Sequence, residues 1–286
     1  MTDNLVYHYT NTAGLLGIIK SRKLWASDIQ FLNDAMEIKY GVSVIIDKIH
    51  PKNKKEEENR RRLKDELTRT ARPTPDDPTW HLYAACFCGN GDLLSQWRTY
   101  GRDGYAIGFQ REWLLSIAEK FNVSEPKGDA KIFGEVHYEN GDTHASGLPT
   151  KIRGLLKGGD TDTSELSTKI RELLKDFENS KKRRETMGEV ILEAAMIKHK
   201  TFEAEDERRL LLPSYGLRSD LEFRSGVLGV VPYREVRFAP SDIVEVHVGP
   251  GHSSRERSNS VDHLLESKGF RHVRVRSSES PVRVGV

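Results

Sequence analysis

Apolar and polar positions along the chain predict a mixture of short strands and amphipathic helices. Residues 5–9 are rich in β-branched and aromatic side chains, which favours a strand, and a helix capped by Thr10 or Asn11 follows. Residues 23–27 favour a strand or an extended turn. Further strands are predicted over residues 80–88, 105–109, 135–138, 205–211, 228–233, 244–248 and 272–275. Further helices are predicted over residues 34–50, 93–100, 186–199 and 261–268.

The order of these elements indicates the fold class. Strands and helices do not alternate strictly, so a doubly wound parallel sheet is not expected. We expect an α+β fold in which mixed, largely antiparallel sheets are flanked by helices, as one domain over residues 1–286. The charged segments 51–78 and 140–185 are predicted to be exposed helical or loop insertions, because they carry few apolar positions.

Composition narrows the classes of partner. The 45 lysines and arginines nearly balance the 43 acidic residues, so the overall charge gives no argument for a nucleic-acid or membrane partner. The longest apolar runs, such as residues 42–46, are too short to span a bilayer. The two cysteines, Cys86 and Cys88, are badly spaced for a disulfide within one strand, and no metal-binding motif accompanies them. We therefore expect a cytoplasmic protein with no membrane partner and no metal.

The first cluster that could carry chemistry is the sequence Tyr7-His8-Tyr9-Thr10, where a strand gives way to a helix. Ligands often bind at such junctions, where His8 could donate a hydrogen bond to a ribose hydroxyl and an aromatic ring could stack on a flat ligand. The alternative is that both tyrosines pack in the core and that His8 is a hydrogen-bonded structural residue.

Two further clusters have similar alternatives. Trp97 and Tyr100 are three residues apart, so they share a helix face, and they either face a ligand or anchor their helix to the sheet. In a strand, Glu205, Glu207 and Arg209 would share one face, where a carboxylate could stabilise a cationic sugar transition state. Alternatively, this segment is a helix end whose acids form surface ion pairs. Phosphate-binding glycine loops and a serine-hydrolase elbow are absent from the sequence.

Taken in order, these clusters resemble the bacterial domain of unknown function 2971 family. Its opening is similar to residues 5–37, with a His-Tyr-Thr strand, a Leu-Trp-Ala-Ser segment and the Asn33-Asp34 pair. Its middle block resembles Cys86-Phe87, Trp97 and Tyr100, and its Glu-x-Glu-Trp-Arg block resembles residues 205–209. Its closing segments resemble residues 231–233, 243–250 and 280–283. The chain departs from the family at Arg208, where tryptophan is usual, and at Arg98, where a small polar residue is common.

The opening block is also similar to that of DarT-type toxins, which transfer ADP-ribose to single-stranded DNA. That resemblance implies an ADP-ribosyltransferase-like fold, with NAD as the substrate and His8 on its ribose. It implies Glu207 or Glu205 as the catalytic carboxylate and Arg209 as a structural partner or a pyrophosphate ligand. The NAD-binding residues implied are His8, Tyr9, Thr10, Asn33, Asp34, Trp97, Tyr100 and Arg209.

The resemblance implies an enzyme that modifies a macromolecule, either DNA or RNA or a protein, as a toxin or an anti-phage defence effector. A protein partner or inhibitor would fit that setting. The alternative is a non-catalytic module with the same fold that binds a nucleotide or nucleic acid. A basic insertion surface, which includes residues 60–62 and 181–184, would suit the nucleic-acid form of this alternative.

Overall fold

A computed structural model describes residues 4–31, 37–70, 80–100, 104–118, 132–140, 163–215, 221–226 and 228–280. Its strands are β1 Leu5–Thr10, β2 Lys23–Asp28, β3 Trp80–Cys88, β4 Tyr105–Gln110, β5 Ile132–Glu135, β6 His137–Glu139, β7 Ile197–His199, β8 Glu207–Tyr215, β9 Glu222–Gly226, β10 Gly229–Arg237, β11 Ile243–Val248 and β12 Arg274–Ser277. Its α-helices are α1 Thr12–Ser21, α2 Glu37–Asp47, α3 Lys54–Thr70, α4 Leu94–Tyr100, α5 Arg111–Ile117, α6 Thr163–Lys175, α7 Ser180–Ala194 and α8 Ser254–Ser267. Short 3₁₀ helices cover Ile29–Phe31, Lys200–Glu205 and Pro240–Asp242.

Most strands in the described residues join one mixed sheet. Its order is β12-β11-β4-β1-β3-β2-β10-β9, with β8 paired to β3 and β5 paired to β8. Neighbours are antiparallel except for the parallel pair β11 and β12, while β6 and β7 form a separate parallel pair. The α+β class with a largely antiparallel sheet flanked by helices is therefore confirmed. Its likeness to ADP-ribosyltransferases stays a prediction.

The sheet is split around β3. One edge of β3 pairs with β8 along its whole length, from Trp80 to Cys88. The other edge pairs with β1 only at Cys88 and with β2 only at Tyr83 and Ala84. Residues 85–87 therefore have no register partner in β1 or β2 on that edge, and these two strands diverge from β3 at this point.

One face of the sheet carries a helical layer built from α2, α3, α6 and α7. Leu63 and Leu67 of α3 are fully buried there, and so are Ile170 and Leu173 of α6. The expectation of exposed insertions at 51–78 and 140–185 is corrected for these two helices, because each buries an apolar stripe. The sparse apolar residues recur at helical spacing, so they form one buried face while the charges occupy the other.

The opposite face carries a second core with α1, α5 and α8. Ile19 of α1, Leu114 of α5 and Leu265 of α8 pack against residues such as Ile107 and Phe109 of β4. Asn11 caps α1, because its side-chain oxygen accepts a hydrogen bond from the Gly14 amide at 2.9 Å. No helix in the described ranges is both long and apolar enough to cross a membrane.

Several predicted element boundaries were wrong, and three of them show the causes. The acidic strand begins at Glu207 rather than at residue 205, because Glu205 ends a 3₁₀ helix and Asp206 adopts a left-handed conformation between them. The apolar helix α7 ends at Ala194, and residues 197–199 form strand β7. The helix predicted over 261–268 begins earlier, at Ser254, because its polar first turns lack the apolar periodicity used to place it.

Candidate functional site

A buried network of ion pairs forms where β8 begins. The Glu207 carboxylate accepts two hydrogen bonds from the Arg209 guanidinium, at 2.7 and 2.9 Å. Lys198 of β7 donates to the same carboxylate at 3.2 Å and to Glu205 at 2.6 Å. Arg209 also donates to the Ala195 carbonyl at the end of α7, at 2.7 Å. The network therefore joins β8 to the helical layer.

The charge of Glu207 is set by two opposing effects. Burial on its own would raise the pKa of this carboxyl group, because it disfavours the charged form. The positive charge and hydrogen bonds of Arg209 oppose burial, and Lys198 and the Cys86 side chain add to them. The outcome is a pKa lowered to about 2, so Glu207 is ionised throughout the physiological range.

Glu205 is the accessible carboxylate of this network. Its side chain is 28% exposed, whereas those of Lys198 and Glu207 are 8% and 7% exposed. Helix α4 holds the 3₁₀ segment that carries Glu205, because Ser95 and Gln96 donate to the carbonyls of residues 204 and 205. The sequence predicted that Glu205 and Glu207 lie on one strand. In the structure they lie on different elements, and Lys198 bonds to both.

His8 lies at the split in the sheet. Its Nδ1 donates a hydrogen bond to the Cys86 carbonyl at 2.9 Å, on a stretch of β3 that β1 and β2 leave unpaired. Burial lowers the pKa of His8, and the Cys86 carbonyl partly opposes that shift. In the neutral ring, Nδ1 carries the proton and Nε2 is a hydrogen-bond acceptor. His8 can therefore accept from a ribose hydroxyl but cannot donate to one as the sequence suggested.

His8 and Glu207 point to opposite faces of the sheet. Tyr7 is opposite Cys88, and Cys88 is opposite Glu207, so these three side chains share one face. The next side chain along β1, that of His8, points to the other face, where its ring contacts Phe87 edge-on. The two residues predicted to act on one sugar are therefore not brought together. Cys86 links them, with its carbonyl on His8 and its side chain on Glu207.

Two aromatic residues that were predicted to contact a ligand, Tyr9 and Trp97, belong to the core. Tyr9 is 5% exposed and Trp97 is 1% exposed, and their rings meet edge to face at 4.7 Å between centroids. The Tyr9 hydroxyl donates to the Asn90 carbonyl and accepts from the Leu93 amide. The prediction that Tyr9 or Trp97 packs on a ligand is corrected, because neither ring offers an open face.

The remaining predicted residues divide into three groups. Arg209 is 1% exposed and donates hydrogen bonds to Glu207 and Ala195. These contacts support the structural role predicted for Arg209 and argue against the predicted contact with a pyrophosphate. Thr10 ends β1 and is half-buried. Asn33 and Asp34 lie outside the described residues, as does the side chain of Tyr100 at the end of α4.

The two departures from the family pattern lie outside the buried network. Arg208 makes ion pairs with Asp206 at 3.0 Å and with Glu135 at 3.6 Å. Arg98 is exposed on α4. Arg208 therefore neutralises neighbouring acids.

A second polar cluster, around Glu245, was not predicted from the sequence. Glu245 of β11 accepts from the Tyr7 hydroxyl at 2.8 Å and from Arg276 at 2.8 Å, and His247 lies 3.0 Å from it. Burial would raise the pKa of Glu245, but its hydrogen bonds to His247, Tyr7 and Arg276 lower it. The sequence feature that could have predicted this cluster is the alternation of the polar residues Glu245 and His247 with apolar residues in one strand.

The geometry defines an α+β protein with a split sheet and a buried network of ion pairs, whose most accessible carboxylate, that of Glu205, is partly exposed. Residues 96–210 match the family model described as protein of unknown function (DUF2971), a segment that includes Glu205, Glu207 and Arg209. This match bears out the resemblance to that family over residues 96–210, which are less than half of the chain. No curated protein and no solved structure matches the chain.

Proposed function

We propose that this protein is an NAD-dependent ADP-ribosyltransferase that modifies a macromolecule. The bond between nicotinamide and the ribose C1′ breaks, and nicotinamide leaves with the bonding electron pair. An oxygen or nitrogen of the acceptor then bonds to C1′ and loses its proton to the solvent. The ribose passes through a cationic transition state, so the enzyme must present negative charge near C1′.

One observation carries the proposal: a partly exposed carboxylate, that of Glu205, is bonded to a buried network of opposite charges. Lys198 holds Glu205 at 2.6 Å and is itself held by Glu207. Two carboxylates and two cations balance in number, but only Glu205 is substantially exposed. The charge presented to a ligand is therefore negative and is held in place before the reaction begins, as transition-state stabilisation requires.

On this proposal the two acids have different roles. Glu205 is the residue that would touch the sugar, and Glu207 is a positioning residue that acts through Lys198. His8 is also a positioning residue, because it holds the Cys86 peptide whose side chain contacts Glu207. The resemblance to DarT-type toxins implies that NAD also contacts Thr10, Asn33 and Asp34, and the proposal includes those contacts.

The acceptor and the setting follow from the resemblance to DarT-type toxins. We propose single-stranded DNA as the preferred acceptor and RNA or protein as the alternatives, in the cytoplasm of a bacterial cell. A toxin or anti-phage effector of this kind would be controlled by a protein inhibitor. Cys86 and Cys88 are both present as thiols, which suits a reducing compartment.

A second candidate is a non-catalytic module that binds a nucleotide or nucleic acid. The specific observation in its favour is the pairing of Glu207 with both Arg209 and Lys198, which cancels the charge of that carboxylate. A structural network of this kind needs no substrate. Binding of NAD or nucleic acid without release of nicotinamide would distinguish this candidate.

The test is a transfer assay with labelled NAD and single-stranded DNA, RNA and protein acceptors. We expect Glu205→Gln to abolish both nicotinamide release and label transfer while leaving the thermal melting temperature close to that of the wild type. The matched control is Glu203→Gln, which removes an exposed acid from the same 3₁₀ helix and should leave activity unchanged.

His8→Ala and Glu207→Gln test the positioning roles. Both should reduce kcat more than they change KM, because the charge beside the sugar is displaced while the NAD contacts remain. Equal transfer by the wild type and Glu205→Gln would reject the assignment. Absence of transfer by the wild type on every acceptor, together with calorimetric binding of NAD, would replace it with the binding module.

A further inference from the structure

The hairpin formed by β9 and β10 carries an exposed apolar patch. Phe223, Leu228 and Val230 are 61%, 64% and 68% exposed, which is unusual for side chains of this size. Phe223 is opposite Pro232 in the hairpin, and Val230 has the same parity as Pro232, so they share one face. Three large, exposed apolar side chains on one hairpin indicate a contact surface.

Strand β9 is an edge of the sheet. It pairs with β10 from residue 222 to residue 226, and no strand among the described residues pairs with its other side. Proteins usually protect such edges with lysine, proline or a bulge. The sequence of β9, Glu-Phe-Arg-Ser-Gly, contains neither lysine nor proline, and its register with β10 runs without a shift.

The charges of β9 are complementary to those of a second β9. If two copies pair antiparallel around Phe223, Glu222 of each copy is opposite Arg224 of the other. Both residues project on the face opposite to Phe223, since strand side chains alternate. In the single chain, Arg224 donates to the Ser27 hydroxyl of β2 at 2.9 Å and to the Ser225 carbonyl at 3.3 Å, so its guanidinium reaches back across β10 and would turn towards the free edge to meet Glu222 of the second copy.

We propose that two copies of this chain associate through β9, which forms a continuous antiparallel sheet across a two-fold axis at Phe223. One face of this sheet would join the apolar patches of the two hairpins, and the other would carry two Glu222–Arg224 pairs. A two-fold axis requires the same strand from both partners, and the palindromic order of acid, aromatic and base around Phe223 meets that requirement. The inference does not depend on the proposed NAD chemistry.

The test is a charge-exchange experiment followed by sedimentation velocity across a wide range of concentration. We expect the wild type to dimerise, and Glu222→Arg and Arg224→Glu each to weaken self-association by about tenfold, because like charges then face each other. An equimolar mixture of the two single variants should recover association, since each arginine then faces a glutamate. The double variant Glu222→Arg/Arg224→Glu should dimerise as the wild type does.

Two controls separate this contact from general effects of charge or folding. Asp262→Arg makes the same charge change on the exposed side of α8 and should leave dimerisation unchanged. Circular dichroism should show native secondary structure in every variant, because both β9 positions lie at an edge strand. A monomeric wild type, or a mixture of the single variants that fails to associate, would overturn the proposal.

Discussion

Glu207→Gln offers the sharpest test of the buried network. The substitution keeps the size of the side chain and removes its ionisation, so the ion pairs with Arg209 and Lys198 become contacts between two cations and a neutral amide. The amide retains one oxygen that can accept a hydrogen bond. The part of the difference in stability between the wild type and the variant that changes with pH therefore reports the titration of Glu207.

The magnitude follows from the pKa of that carboxyl group. The fall from the ordinary value of 4.5 to about 2 corresponds to about 3 kcal/mol of stabilisation at neutral pH. Because folding lowers this pKa, the stabilisation is complete above the pKa of the unfolded chain and is lost as pH falls through that of the folded protein. At about pH 3 roughly half of it or less remains.

The assay is urea unfolding followed by circular dichroism, at neutral pH and at several values down to about pH 3. The quantity compared is the difference in free energy of unfolding between the wild type and Glu207→Gln. We expect that difference to shrink by about 2 kcal/mol over the range, because only the wild type loses the ionised carboxylate. A difference that stays constant with pH would refute the reasoning, since it would mean that Glu207 does not titrate differently in the folded protein.

Two other substitutions test how the surrounding structure is held. Leu63→Ala in α3 should lower the free energy of unfolding by about 3 kcal/mol, because the side chain is fully buried in the helical layer, whereas Leu115→Ala at an exposed position of α5 should change it by less than about 0.5 kcal/mol. Equal effects in urea unfolding would show that α3 is a surface helix. Trp97→Phe should lower the stability by about 2 kcal/mol, because it removes the indole donor that reaches the Asp92 carboxylate at 2.6 Å. Thermal melting measures this loss, and an unchanged transition would mean that the bond contributes nothing.

The alternatives considered for the aromatic residues are now decided by burial. Tyr9 and Trp97 carry polar groups, and their sequence context suited either a ligand wall or a core. The structure satisfies the hydroxyl of Tyr9 with Asn90 and Leu93, and the indole of Trp97 with Asp92, which lies outside both predicted elements. Hydrogen-bond partners contributed by a loop cannot be identified from the spacing of residues within one strand or helix.

The acidic segment shows where local pattern reasoning fails. Alternation placed Glu205 and Glu207 on one strand face, but Asp206 adopts a left-handed backbone conformation that ends the 3₁₀ helix before β8 begins. The two acids nevertheless meet, because Lys198 of β7 bonds to both. The contact depends on a residue seven positions from Glu205, and the strand pattern contained no information about it.

Apolar periodicity and motifs in a fixed order were enough to predict the α+β class, most of the helices and strands, and the resemblance to the DUF2971 family. The opposite orientation of His8 and Glu207 became visible only in the folded chain. That outcome depends on the register of β1, β3 and β8, in which a shift of one residue exchanges the two faces. Register is set by contacts between distant segments, so no local pattern around His8 or Glu207 could reveal it.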